Sequence, residues 1–320
     1  MKSNSRLIYH LTAFIVVAIW GSTFVFTKLL LLSGLSPAQI FTLRFIIAYV
    51  LLLGYSIFFP LPSKGRGRGG ANNFRPFCSS WRDELLMIAL GVTGGSLYFL
   101  TENSAMNYTT TTNTSLIVSL SPLIAAALIS IFYKSERLNR VQISGTLMAA
   151  LGVVIVVLNG HFVLHLSPFG DSLAFSAALC WGFYSLLMIP ANQKYDTVFI
   201  TRKVFIYGLL SMIPYYMMNP VEAGIFISPS TFHPSLSIIL NLLFLGCVAS
   251  MLCFVAWNWV LKKLGAVVAT NYVYFNPVTT ILFAWAILSE QITLYFLLGT
   301  ALILIGMYLA DKRKTVIIEQ

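Results

Sequence analysis

The sequence predicts an all-α integral membrane protein of ten transmembrane helices, in two inverted five-helix repeats with both termini cytoplasmic. Three observations predict it. Soluble domains are about a quarter charged, whereas this chain of 320 residues is 9% charged and 58% apolar, with a mean hydropathy of +0.83. Such a chain cannot keep its surface in water, so its solvent is lipid. Ten apolar segments are each long enough to cross a bilayer. The chain also repeats itself: Gly91, Leu97, Phe99, Asn103, Val118 and Pro122 match Gly246, Leu252, Phe254, Asn258, Val273 and Pro277, each 155 positions later. With one residue of slippage, Glu136, Gly145, Thr146 and Gly152 then match Glu290, Gly299, Thr300 and Gly306.

Taken in order, the spans cover roughly 9–32, 38–59, 85–107, 114–133, 141–158, 169–189, 198–218, 237–260, 267–288 and 293–310. The first follows Lys2 and Arg6, and its apolar run of about 24 residues lacks a small-x-small cleavage site. It therefore reads as a retained helix and not as a signal peptide. Helices are the form expected throughout, because hydrocarbon satisfies no open backbone group. The alternating pattern of a membrane β-barrel is absent. Cys78, Cys180, Cys247 and Cys253 show no metal-ligand spacing and read as packing residues.

The basic residues set the orientation. Eighteen of the 20 lysines and arginines fall at alternate ends of the spans. They comprise Lys2 and Arg6, five from Lys64 to Arg82, three from Lys134 to Arg140, Lys194 with Arg202 and Lys203, Lys262 with Lys263, and three from Lys312 to Lys314. The other two, Lys28 and Arg44, lie within the first two spans. The positive-inside rule puts the basic ends in the cytoplasm, so the net charge of +10 does not point to nucleic acid. Five is an odd number of crossings, so the second copy is inverted relative to the first. The repeats divide the chain at 1–158, which includes the basic loop 60–84, and 159–320. Inverted repeats are the construction of many secondary transporters, with the site between the halves.

The residues also carry a family resemblance. Ala18-Ile19-Trp20-Gly21-Ser22-Thr23-Phe24, followed by Lys28, Ser36-Pro37 and Leu43-Arg44-Phe45, resembles the start of an EamA-type member of the drug/metabolite transporter superfamily. Ala105-Met106-Asn107-Tyr108-Thr109, Pro122, Glu136 and Gly145 resemble the end of the same domain. The second copy is similar through Trp181-Gly182, Asn276-Pro277, Glu290 and Gly299. The resemblance covers essentially the whole chain and implies a ten-helix transporter of small organic molecules in the bacterial inner membrane. It supplies no substrate, since members handle amino acids, sugars, nucleotides and other metabolites. The long basic loop 60–84 departs from the family pattern.

The chemistry is expected at the intramembrane polar groups. At a rise of 1.5 Å per residue, Trp20-Gly21 and Trp181-Gly182 reach the bilayer midplane from opposite sides. They line a substrate cavity, with Tyr184 nearby, or they serve only close packing. Pro122 and Pro277 interrupt their helices and free the carbonyls of Val118 and Val273. Ser119, Ser121 and Asn276 stand beside those breaks, and matching breaks in inverted halves either mark a site and its hinges or are packing kinks alone. Glu102 lies about 17 residues into the third span, roughly 26 Å from its inner edge. A carboxylate there is costly unless protonated, paired or wetted. It carries a proton, pairs with Lys28 or Arg44, or touches substrate. Asn103 and Asn258 are candidates for gates or interhelical hydrogen bonds.

Other signals count for little. Gly65-Arg66-Gly67-Arg68-Gly69-Gly70 follows no strand and opens no helix, so it is no dinucleotide site. Its loop suits anionic lipid. No phosphate-binding G-x-x-x-x-G-K-[ST] or metalloprotease H-E-x-x-H occurs, and His10, His161, His165 and His233 lie at or beyond the helix ends. The reading is therefore a secondary transporter, exporting or exchanging a small organic metabolite, needing no cofactor and of open oligomeric state. A facilitative uniporter or pore is the alternative, and a membrane enzyme a distant third.

Overall fold

The computed structural model describes residues 2–58, 76–133, 139–158, 167–227, 234–288 and 294–311. Most of the basic loop 60–84, together with Glu136, Glu290, His161, His165 and His233, lies outside the described residues, and so do the readings placed on them. The described chain is helical, with no strand. Its helices are α1 (Lys2–Leu32), α2 (Pro37–Phe58), α3 (Trp81–Tyr108), α4 (Thr111–Val118), α5 (Ser121–Phe132), α6 (Arg140–Leu158) and α7 (Pro168–Lys194). There follow α8 (Thr197–Leu210), α9 (Ile213–Met218), α10 (Pro220–Ile227), α11 (Leu236–Leu264), α12 (Ala266–Thr270), α13 (Asn276–Leu288) and α14 (Leu294–Asp311).

Among the described residues, seven stretches are long and apolar enough to cross a membrane. They are Leu7–Leu32, Pro37–Phe58, Trp81–Tyr108, Asn113–Phe132, Pro168–Lys194, Thr197–Met218 and Leu236–Leu264. The apolar helices Arg140–Val156 and Leu294–Ala310 are shorter. The expected span 267–288 is divided among α12, a 3₁₀ turn Asn271–Phe275 and α13.

Local chemistry explains where the helices begin. Ser36 and Gln39 cap each other's backbone N–H groups, at 3.0 and 3.2 Å. Asn139 and Gln142 do the same ahead of α6, at 3.1 and 2.9 Å. Both are capping boxes, each satisfying two donors that a helix start leaves open. Ser80 accepts from the Asp83 N–H, and this starts α3 at Trp81, four residues before the expected span.

α6 and α14 lie backbone to backbone. A Cβ at Gly306 would stand 2.4 Å from the Ala149 nitrogen, and one at Gly145 2.5 Å from that of Ala310. Gly152 and Gly299 face each other's carbonyl oxygens, with a Cβ on either 2.7 Å away. Small residues permit such contact, which drives helix association where lipid removes the hydrophobic incentive. Outward from this seam, Leu147, Leu151, Leu297 and Tyr308 are exposed, as suits a lipid-facing surface. Gly306→Leu has no flexible neighbour to displace, so it should cost about 3 kcal/mol or more. The check is a thermal melt in detergent, with Leu304→Ala on the exposed face as the neutral control; equal melting of Gly306→Leu and wild type would rule the contact out.

Several of the remaining contacts exchange in pairs when the halves are swapped. α1 packs on α11 and α13, and α7 on α3 and α5; α2 packs on α11, and α8 on α3. Polar clusters tie the two ends of this bundle. At one end Asp83 pairs with Lys194 at 2.6 Å and accepts from the Tyr195 hydroxyl. Beside it Glu84 holds Lys203 and the Tyr207 hydroxyl. At the other end Glu222 accepts from Ser36 and Tyr215, at 2.5 and 3.1 Å.

Candidate functional site

Trp20 on α1 and Trp181 on α7 meet edge to face in the interior, ring centroids 5.3 Å apart and planes at 90°. Trp257 lies 5.1 Å from Trp20, and Tyr98 lies 5.1 Å from Trp181. Edge-to-face and tilted pairs suit the ring quadrupoles. The box is therefore held by its own ring contacts. The Trp20 indole donates to the Ala249 carbonyl at 2.9 Å, whereas the indole N–H groups of Trp181 and Trp257 have no partner.

The Trp20, Trp181 and Tyr98 rings wall a cavity of about 20 Å³, room for a single water, with Trp257 packed behind Trp20. Trp20, Arg44, Glu102 and Ser121 contribute from the first half, Trp181, Phe254 and Asn276 from the second. The Ser121 hydroxyl and the Asn276 side-chain oxygen are buried without a hydrogen bond. Buried polar groups are normally satisfied, and an orphan costs stability. Two orphans at corresponding positions beside Pro122 and Pro277, with the Trp181 N–H opposite, form an incomplete hydrogen-bonding shell. A polar ligand would complete it.

Glu102 is buried and accepts from the Tyr98 hydroxyl at 2.6 Å. Of the three roles open to Glu102, the salt bridge with Lys28 or Arg44 is not formed. Lys28 donates to the Met106 carbonyl at 2.7 Å. The Nε of Arg44 donates to the Ser250 hydroxyl at 2.8 Å, and its guanidinium lies 4.4 Å from the Phe99 ring centre. An acid and a base thus share one cavity wall without pairing. Among the described residues no three His, Cys, Asp or Glu side chains converge as metal ligands.

Two expected wall residues lie elsewhere. Ser119 gives its hydroxyl to the Ser115 carbonyl at 2.7 Å. Val118 and Ser121, three apart, share the face toward the cavity, and Ser119 turns away from it. Tyr184 packs behind Trp181, centroids 5.1 Å apart, and donates to Asn258 at 2.6 Å. Asn258 in turn donates to Thr201 at 2.9 Å. Its counterpart Asn103 donates to the Pro37 carbonyl at 3.2 Å, so Asn103 ties α3 to α2 and Asn258 ties α11 to α8. α4 ends at Val118, ahead of Pro122, and the 3₁₀ turn ends at Phe275, ahead of Pro277. The Val273 carbonyl is not free, however. The Asn276 N–H takes it, because 3₁₀ tightening supplies a donor one residue earlier than an α-helix would.

Sequence reasoning missed the π-helical turns Val92–Ser96 in α3 and Phe244–Leu252 in α11. π turns inside α-helices frequently sit at functional sites. Here the second one presents both the Ala249 carbonyl to Trp20 and the Ser250 hydroxyl to Arg44. The matched Gly91 and Gly246, one in or beside each turn, were the available signal.

The sequence profile of the EamA-like transporter family matches residues 7–158 and again 168–310. The chain belongs to the EamA-like transporter family. That membership places it among membrane transporters and not enzymes. Within this family's reach, an uncharacterised transporter of Archaeoglobus fulgidus is 28% identical over 98% of this chain and 99% of its own length. A probable amino-acid metabolite efflux pump of Salmonella typhimurium is 26% identical over 93% of this chain and 92% of its own. A probable terminal-alkyne amino-acid exporter of Streptantibioticus cattleyicolor is 26% identical over 72% of this chain and 74% of its own. One crystal structure shares the fold at a TM-score of 0.70 and 20% identity, covering 94% of this chain and 97% of that one.

In this EamA-like protein the Trp pair yields a direct expectation. Trp20→Ala and Trp181→Ala should each weaken substrate binding by about 10-fold or more, the order expected for losing a desolvated aromatic contact, while folded protein still reaches the membrane. Equal apparent affinity in Trp→Phe variants, with Trp→Ala lowering only expression, would reduce the pair to packing.

Proposed function

We propose that this protein is a secondary transporter that exports or exchanges an amino acid or a closely related metabolite by alternating access through the Trp20–Trp181 cavity. One observation carries the substrate class. Arg44 and Glu102 line the same buried cavity without forming an ion pair. Unpaired buried charges are costly, and a zwitterion answers both: its carboxylate faces the guanidinium and its ammonium the carboxyl group. The names of the Salmonella and Streptantibioticus relatives support the same class.

In this reading the chain crosses the inner membrane of a bacterium ten times, in two inverted repeats. The pairwise exchange of helix contacts, the twin profile matches and the matching π turns and proline breaks support the repeat. Pro122 and Pro277 serve as hinges, and Asn103 and Asn258 steady the two sides as the halves rock. Glu102 takes a proton when it gives up the substrate's ammonium, so an inward proton gradient drives export. Lys28 braces the third span through the Met106 carbonyl.

The test is counterflow into liposomes that hold the purified protein. Vesicles preloaded with a mixed amino-acid pool should accumulate labelled amino acid transiently and saturably. Counterflow with sugars or nucleotides alone would overturn the substrate class. Conductance without counterflow would identify a pore instead.

A further inference from the structure

Four helical runs each present one side to two cavities. On α7, Trp181 lines the central cavity, while Met188 and Asn192 line a second one of about 200 Å³. Those residues are seven and eleven positions on, hence on the same helix face. On α11, Phe254 borders the first cavity and Leu261 the second. The same pairing holds for Ser121 and Ile129 on α5, and for Val273 and Ala266 across α12 and its 3₁₀ turn. Seven residues of helix rise roughly 10 Å, so the cavities are stacked along one seam.

The outer of the two has the marks of a vestibule. It opens at the end of the bundle that carries Lys194, Lys262 and Lys263. Lys262 borders it and donates to the Tyr195 carbonyl at 2.9 Å. The Asn192 side-chain oxygen is buried in its wall with no hydrogen bond. Pro190 lies inside α7 between Met188 and Asn192, where the missing N–H weakens the helix and allows it to bend. Between the cavities the seam is closed mainly by small residues. A Cβ at Gly182 would lie 3.3 Å from the Cβ of Ile124, and Ala125 and Ser185 are fully buried beside them. Ser185 spends its hydroxyl on its own helix, on the Trp181 carbonyl, so it ties α7 to no neighbour.

We propose that the Asn192–Lys262 cavity is the cytoplasmic vestibule of the transport path. A solute bearing an anionic group enters past Lys262, meets Asn192, and passes between α5 and α7 when the Gly182–Ile124 contact opens. This rests on the central cavity being the transport site.

The experiment reads solvent access with thiol reagents, in a version whose Cys78, Cys180, Cys247 and Cys253 are replaced by alanine. In membrane vesicles of known sidedness, Asn192→Cys should label with an impermeant methanethiosulfonate from the cytoplasmic face. Relative to their rates with a free thiol, the anionic sulfonatoethyl reagent should outpace the cationic trimethylammonium one by about 30-fold. One unit charge at about 4 Å in water is worth about fivefold, and the two reagents differ by two charges. Lys262→Ala should erase that preference. Ser121→Cys should label from the same face, and stop labelling once Ile124→Cys and Gly182→Cys are oxidised to a disulfide, which their spacing nearly matches. Reductant should restore it.

Labelling of Asn192→Cys from the opposite face overturns the proposal. So does Ser121→Cys labelling that ignores the disulfide, or that never occurs from the cytoplasm. If the disulfide variant fails to fold, Asn192→Cys combined with Ser121→Cys decides: a bulky maleimide at 192 should block 121, and unhindered labelling of 121 sinks the idea. These readouts need no transport. A dry vestibule therefore leaves the central-cavity reading standing, and a failed counterflow assay leaves the vestibule standing.

Discussion

Glu102→Gln, purified and reconstituted, should lose uphill accumulation under an imposed proton gradient and keep exchange between equal pools at saturating substrate. The amide preserves the shape and can still accept the Tyr98 hydroxyl, now 2.6 Å from Glu102, but it cannot titrate. Net export against a gradient requires that proton; exchange requires only that loaded states interconvert. Half-saturation should rise as well, since the amide gives the substrate's ammonium a neutral partner. Because no hydrogen-bonded ion pair closes on Glu102 and Arg44 keeps its bond to Ser250, the substitution removes only a longer-range attraction, and the melting temperature should fall little. A paired Glu102 predicts otherwise: loss of stability, both activities falling together, and rescue by Lys28→Met or Arg44→Met. Wild-type accumulation by Glu102→Gln would contradict proton coupling outright.

The parts of this arrangement that repeat are the parts legible in the chain. Trp20 and Trp181, or Pro122 and Pro277, stand out because the same residue recurs at a corresponding place, and helical rise then sets its depth. Direction around the helix is harder. Ser119 and Ser121 are two residues apart, and only the break at Ser119-Leu120 decides that Ser121 faces the cavity. Tyr184 was misplaced for a similar reason, being three positions from Trp181 and turned toward Asn258. The π turns were not legible, because an i→i+5 pattern is settled by how a helix fits its neighbours and not by its own residues. Asp83 and Glu84 escaped notice because charge at a span's edge looks like loop. Only the fold brings Lys194 and Lys203, more than a hundred positions away, to neutralise them.

Arg44 decides whether the cavity recognises a carboxylate. Its Nε donates to Ser250, and the residue lines the cavity. A guanidinium offers five donors in a planar fork that matches a carboxylate bidentately. Lysine cannot both hold Ser250 and present such a fork, so Arg44→Lys should fail nearly as fully as Arg44→Met. Truncating one partner of a buried charge pair costs about 2–5 kcal/mol, so transport efficiency for an amino acid should fall about 100-fold. The corresponding amine, which lacks the carboxylate, separates recognition from support. In wild type it should be a poor substrate; in Arg44→Met the preference for the amino acid should collapse, since neither compound then meets a cation. Removing an unpaired buried charge should not lower stability. If the preference survives while the melting temperature drops, Arg44 is a strut between α2 and the π turn of α11, and the substrate's anionic group is held elsewhere.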